Sequence, residues 1–144
     1  MAQADSVGQL TGINFGQFKL ATSGPVAINS TAANIVVMPI LSGGITNNGG
    51  GYIVRRITVT NQSATNTALA NVQICTSSDG NTSNSVTSNV LLSTLTPNGT
   101  WQDLTLTTAA NTTILTAQAL WANVITNVAN STVTFNVYGD VVSF

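Results

Sequence analysis

The chain has 144 residues, of which only Asp5, Lys19, Arg55, Arg56, Asp79, Asp103 and Asp140 carry formal charge, for a net charge of −1. Charged residues make up 5% of the sequence, against about 25% in ordinary soluble domains. A nucleic-acid face needs clustered Lys and Arg and is excluded; polarity falls instead to Asn, Thr and Ser, together more than a third of the chain.

The length suits one domain, which can bury about 68–70% of its unfolded surface and needs no disulfide or metal to fold. A hydrophobic content of 43% with so little net charge favours a folded core over disorder. The same small charge protects poorly against self-association, which suits a protein that lives inside an assembly.

Helix formers are scarce, and strand signals recur between turn clusters. Residues 1–12 are small and polar and read as an N-terminal arm, with a single β-sandwich domain over residues 13–144. The start of the chain has no basic stretch or long apolar run, so no secretory signal is expected. Phe15 to Leu20 reads as a first strand. Asn34 to Leu41 reads as a second, with Pro39 pushing it towards an edge or bulge. The glycine-rich stretch Ser42 to Gly51 reads as a loop. Tyr52 to Thr60 is the clearest strand, with Ile53, Arg55, Ile57 and Val59 expected on one face. Arg55 on that face must lie at a rim or pair with Asp103 or Asp140, because burying it unpaired is very costly.

Ala68 to Ser77 follows, with Val72 and Ile74 on one face and Cys75 as a small buried residue. Asp79-Gly80 is a hairpin cue. Val90 to Leu95 and Trp101 to Leu106 are further strands, and Thr112 to Thr116 is a weaker one beside a short helical turn at Ala117 to Leu120. Leu120 to Thr126 alternates Leu120, Ala122 and Val124 against Trp121, Asn123 and Ile125. In the last strand Val133, Phe135, Val137 and Val141 share one face, Tyr138 and Asp140 lie on the other, and Gly139 marks a bulge. About eight strands with short turns predict an all-β, antiparallel two-sheet sandwich of jelly-roll type.

No conventional catalytic device fits. Without His there is no Ser-His-Asp or Cys-His arrangement, and one Cys cannot supply a zinc site. The glycine-rich loop lacks the lysine of a phosphate-binding loop. Four carboxylates make a glycosidase pair a poor fit, and Asp79-Gly80-Asn81 lacks the other ligands of a calcium loop. No cofactor, metal or enzymatic activity is expected, and no apolar run is long enough to span a membrane as a helix. Asn-x-Ser/Thr triplets at Asn29, Asn61, Asn81, Asn98, Asn111 and Asn130 are expected by chance at this composition. Trp101, Trp121, Tyr52 and Tyr138 are candidates for core, subunit contact or a sugar-stacking platform.

The block Tyr52 to Asn61 (YIVRRITVTN) and the ending Val133 to Val142 (VTFNVYGDVV) resemble small virion proteins of tailed bacteriophages, with Leu120 to Val124 (LWANV) in the late aromatic strand. The resemblance spans about Gly51 to Val142. It implies a head decoration (cement) protein, often a homotrimer, made in the host cytoplasm and bound to the major capsid protein on the outer capsid surface. Leu10, Ile13, Phe15, Phe18, Arg55, Arg56, Trp121 and Tyr138 are the partner-binding residues this reading expects. The alternatives are another virion component, such as a tail or fibre protein, and a carbohydrate- or receptor-binding β-sandwich module.

Overall fold

Residues rich in Val, Ile and Thr, broken by Asn, Ser and Gly, form eight strands among the described residues. They are β1 (Phe18–Ala27), β2 (Ala32–Met38), β3 (Gly50–Asn61), β4 (Asn71–Cys75), β5 (Val90–Leu91), β6 (Trp101–Leu104), β7 (Leu120–Thr126) and β8 (Thr132–Ser143). The computed structural model describes residues 18–38, 50–96, 99–108, 110, 112–115 and 119–143. The expected arm (residues 1–12), Pro39 and most of the glycine-rich loop lie outside these.

The strands pair antiparallel in two four-stranded sheets, ordered β1-β8-β3-β6 and β2-β7-β4-β5. Only β4 and β5 are consecutive neighbours in one sheet. Every other link crosses between sheets, which is the doubled Greek key of a jelly roll. The expected sandwich is therefore the observed one. Among the described residues the only helical element is a single 3-10 turn, Thr82–Asn84.

The core lies between the sheets. Val133, Phe135 and Val137 of β8 meet the inward rows of β3 and β7, including Ile57, Val59, Leu120 and Val124. Alternation follows the expected pattern on β7 and, from Val133 to Asp140, on β8. On β3 it does not. The β3–β8 ladder slips between Val54 and Arg56, so Arg55 is an extra residue and the strand changes phase there. Tyr52 and Val54 face inward before the bulge, and Ile57 and Val59 face inward after it. Arg55 thereby escapes the apolar face on which strict alternation places it.

Gly139 of β8 sits opposite this bulge, paired with Val54. A Cβ added there would lie 1.9 Å from the Ile53 carbonyl oxygen. The expected irregularity at Gly139 thus lies on its neighbours: β1 also slips beside it, between Lys19 and Ala21.

Other boundaries moved for local reasons. Thr22-Ser23-Gly24-Pro25 resembles a turn but is a second bulge inside β1. The Ser23 hydroxyl accepts the Phe135 N–H at 2.9 Å, and an edge strand tolerates the proline. Asp79-Gly80 makes a turn and no two-residue hairpin, because residues 76–89 separate β4 from β5. There Asn81 Oδ1 accepts the Ser83 N–H and caps the 3-10 turn. Leu92 and Leu95, expected in a strand, enter the core from a turn after β5. Leu115 makes an isolated bridge to Tyr52 rather than a strand. That crossing is close, so a Cβ on Gly51 would sit 2.7 Å from the Leu115 carbonyl oxygen.

Tyr52 is fully buried, and desolvation pushes its phenol well above the usual range. The neutral phenol is the form the fold favours. In the unfolded chain it ionises near pH ~10, so its contribution to stability is complete below that pH and is lost as pH rises towards the folded value. Urea midpoints measured at rising alkaline pH should fall above about pH 10, and less steeply in Tyr52→Phe. Parallel slopes for the two proteins would contradict this.

Candidate functional site

The outward row of the β1-β8-β3-β6 sheet carries the main concentration of charged and aromatic side chains among the described residues. After the bulge, Arg56 points outward opposite Tyr138. Its Nε donates to Asp103 Oδ1 at 2.5 Å, and its Nη2 donates to Oδ2 at 3.4 Å. The guanidinium also lies over the Trp101 ring, 5.2 Å from the centroid. Trp101 nevertheless stays 55% exposed. Thr58 pairs with Asp103 on this face and is buried by its neighbours. Arg55 donates to Asp140 at 2.8 Å.

Both ion pairs are half exposed, so each is worth about 0–1 kcal/mol. Their effect is geometric: they hold two arginines in place and leave their neighbourhood without net charge. The hydrogen bond from Arg56 to Asp103 raises the arginine's pKa further, which fixes its charge throughout the accessible pH range.

The expected internal pairing of Arg55 is therefore present, to Asp140. The four aromatic candidates do not form one platform. Trp101 and Tyr138 share the outer face just described. Tyr52 is in the core. Trp121 lies on the outer face of the other sheet, paired with Val36 and Cys75. Of the proposed partner-binding residues, Arg55, Arg56 and Tyr138 come together and Trp121 is apart. Phe18 begins β1, while Leu10, Ile13 and Phe15 lie outside the described residues.

Trp101 is the neighbour that sequence reasoning did not connect to Arg56. The two are joined only by the β3–β6 pairing, for which neither strand carries a cue. Alternation set Arg56 opposite the apolar row of β3 and left Trp101 open between core and surface, and it gave no sign of their proximity.

Other candidate chemistry is muted. Cys75 is buried, and desolvation, with Asp79 nearby, raises its thiol pKa and lowers its reactivity. Asp79 accepts the Asn81 N–H at 2.9 Å, which holds its carboxyl below the usual range as a turn residue. Among the described residues, no three His, Cys, Asp or Glu side chains gather to hold a metal. An open cleft of about 220 Å³ lies between residues 83–86 and residues 107–115, lined by Ser, Thr and Asn with Val86 and Leu115. It contains no charged or aromatic side chain. Of the Asn-x-Ser/Thr triplets, Asn61 is fully buried, so its amide is closed to modification in the folded state.

No family model, curated protein or solved structure matches the chain.

Proposed function

We propose that this protein is a non-catalytic decoration (cement) protein that binds the major capsid protein on the outside of a phage head and stabilises the shell. Jelly rolls serve viral capsid and lectin domains alike, so the fold alone cannot choose a function. The supporting observation is the surface. Arg56, Trp101 and Tyr138 cluster on the outside of a rigid sheet, and Arg, Trp and Tyr are the residue types that dominate binding energy at protein interfaces. Around them lie hydroxyl and amide side chains with the nearby charges already paired. Such a surface combines anchor residues with groups that can hydrogen-bond across a contact, the make-up of a protein interface. The resemblance of the β3, β7 and β8 sequences to small virion proteins points the same way.

On this reading the chain assembles as a homotrimer, and residues 1–12 with Leu10, Ile13, Phe15 and Phe18 anchor it across neighbouring subunits. An arm that orders on binding loses conformational entropy and needs several small anchors to offset it. Deleting residues 1–12 should weaken binding to decoration-free capsids by tenfold or more, about 1.4 kcal/mol, with an unchanged melting temperature. Unchanged occupancy would remove the arm from the binding mode. Density for the protein on the head exterior in a cryo-EM map of the intact particle would support the proposal, and density confined to the tail would overturn it.

A further inference from the structure

From the same outer face we infer a second capacity, independent of where the protein sits on a particle: the Trp101–Arg56–Asp103 cluster binds neutral oligosaccharides. Trp101 stands on β6, the edge strand of its sheet. Arg56 lies over its ring, yet 55% of the residue remains exposed. An indole held this way offers a rigid apolar surface to the C–H face of a pyranose at little cost in side-chain entropy. Beside it, Arg56 uses two of its five N–H donors on Asp103. The remaining donors and the spare lone pairs of the carboxylate form a donor and an acceptor side by side. Two hydroxyls on adjacent sugar carbons present the complementary pair.

The surroundings extend the match. Asp103, Thr58 and Asn136 form one cross-strand row, and strands are about 4.8 Å apart. Thr58 is buried beneath its neighbours, so a chain of sugars laid across the sheet from Trp101 meets the Asp103 carboxylate and then the Asn136 amide, with Tyr138 beside Arg56. Charge selects the ligand class. Arg56 is balanced by Asp103 and Arg55 by Asp140, so a ligand of either charge is not favoured, and a neutral polyol offsets the displaced water with hydrogen bonds from its own hydroxyls.

The test is calorimetric titration of the full chain with neutral hexaoses of β-1,4-glucan, α-1,4-glucan, β-1,4-mannan and β-1,4-xylan, with an oligogalacturonate as the acidic control. At least one neutral hexaose should bind at millimolar concentration or below, and more tightly than the control. Trp101→Ala should weaken it tenfold or more. Arg56→Lys should also weaken it, since a point charge cannot keep both the carboxylate and a sugar hydroxyl in register. Both positions are on the surface, and unchanged circular dichroism and melting would show that the fold is intact. Absence of binding by all four hexaoses would overturn the inference. So would binding that survives Trp101→Ala, or preference for the acidic control. Loss of capsid binding in Trp101→Ala without any sugar binding would assign the cluster to protein contact alone.

Discussion

Gly139→Val is expected to prevent stable folding, and Gly139→Ala to lower stability by about 3 kcal/mol or more, at the upper end for overpacking a core. The reason is the identity of the atom in the way. The Ile53 carbonyl oxygen lies 1.9 Å from the position a Cβ would take, and it belongs to the main chain of β3, so no side-chain rotation relieves the clash. Relief requires parting β8 from β3, the two longest strands, at the point where β3 bulges. The Leu20 side chain closes the same space from β1 at 3.1 Å. Urea unfolding of Gly139→Ala should show a lower midpoint with an unchanged slope. A loss below about 0.5 kcal/mol, the range of ordinary surface substitutions, would mean that the bulge can slide to make room.

Asn61→Ala should cost about 1–3 kcal/mol, the range for removing one partner from a set of buried polar groups. Asn61 ends β3 with no exposed surface. Its Nδ2 donates to the Thr65 and Thr96 carbonyls, both at 2.8 Å. Its Oδ1 accepts the Ser63 N–H at 2.9 Å and the Ser63 hydroxyl at 2.7 Å. One side chain thus ties the loop after β3 to the loop before β6. Alanine would remove all four bonds at once: the Ser63 N–H would lose its partner, and the Thr96 and Thr65 carbonyls would keep only the Thr100 and Ser63 hydroxyls. Asn61→Asp should be no milder, because it sets a carboxylate oxygen against two carbonyls in place of the donor. Thermal denaturation of the two variants checks this; melting within a few degrees of wild type would show that the loops re-bond by another route.

These two residues also mark where the sequence was legible and where it was not. Alternation gave the faces of β7 and β8 because each is a regular strand with one buried side, and the spacing of strands gave the sandwich. Alternation misplaced Ile53 and Arg55, because a bulge shifts phase by one residue and leaves no mark in composition. The first strand runs on past Leu20, where the expected one ended, because turn chemistry at Thr22-Ser23-Gly24-Pro25 also serves a bulge when a hydroxyl such as that of Ser23 can stand in for a main-chain acceptor. Asn61 stood out only as one of six Asn-x-Ser/Thr triplets expected by chance, since nothing local shows that two distant loops converge on its amide. For the candidate site, the partners of the arginines were nearly dictated by scarcity, as Asp103 and Asp140 are the only carboxylates in strands among the described residues. That Trp101 joins Arg56 depends on strand pairing, which sequence alone did not supply.

The position of β8 has a consequence for how the protein is made. It lies between β1 and β3, so the first sheet has no interior until residues 132–143 have been synthesised. Until then β1 has no partner in its sheet and the inward faces of β3 and β7 lack Phe135. The pairing that completes the sheet joins residues near opposite ends of the described chain, and such distant contacts make folding slow, on the millisecond-to-second scale. Until residues 132–143 emerge, the nascent chain holds apolar strands uncovered with almost no charge to keep copies apart, so the rate at which β8 pairs bears on how much reaches the native state.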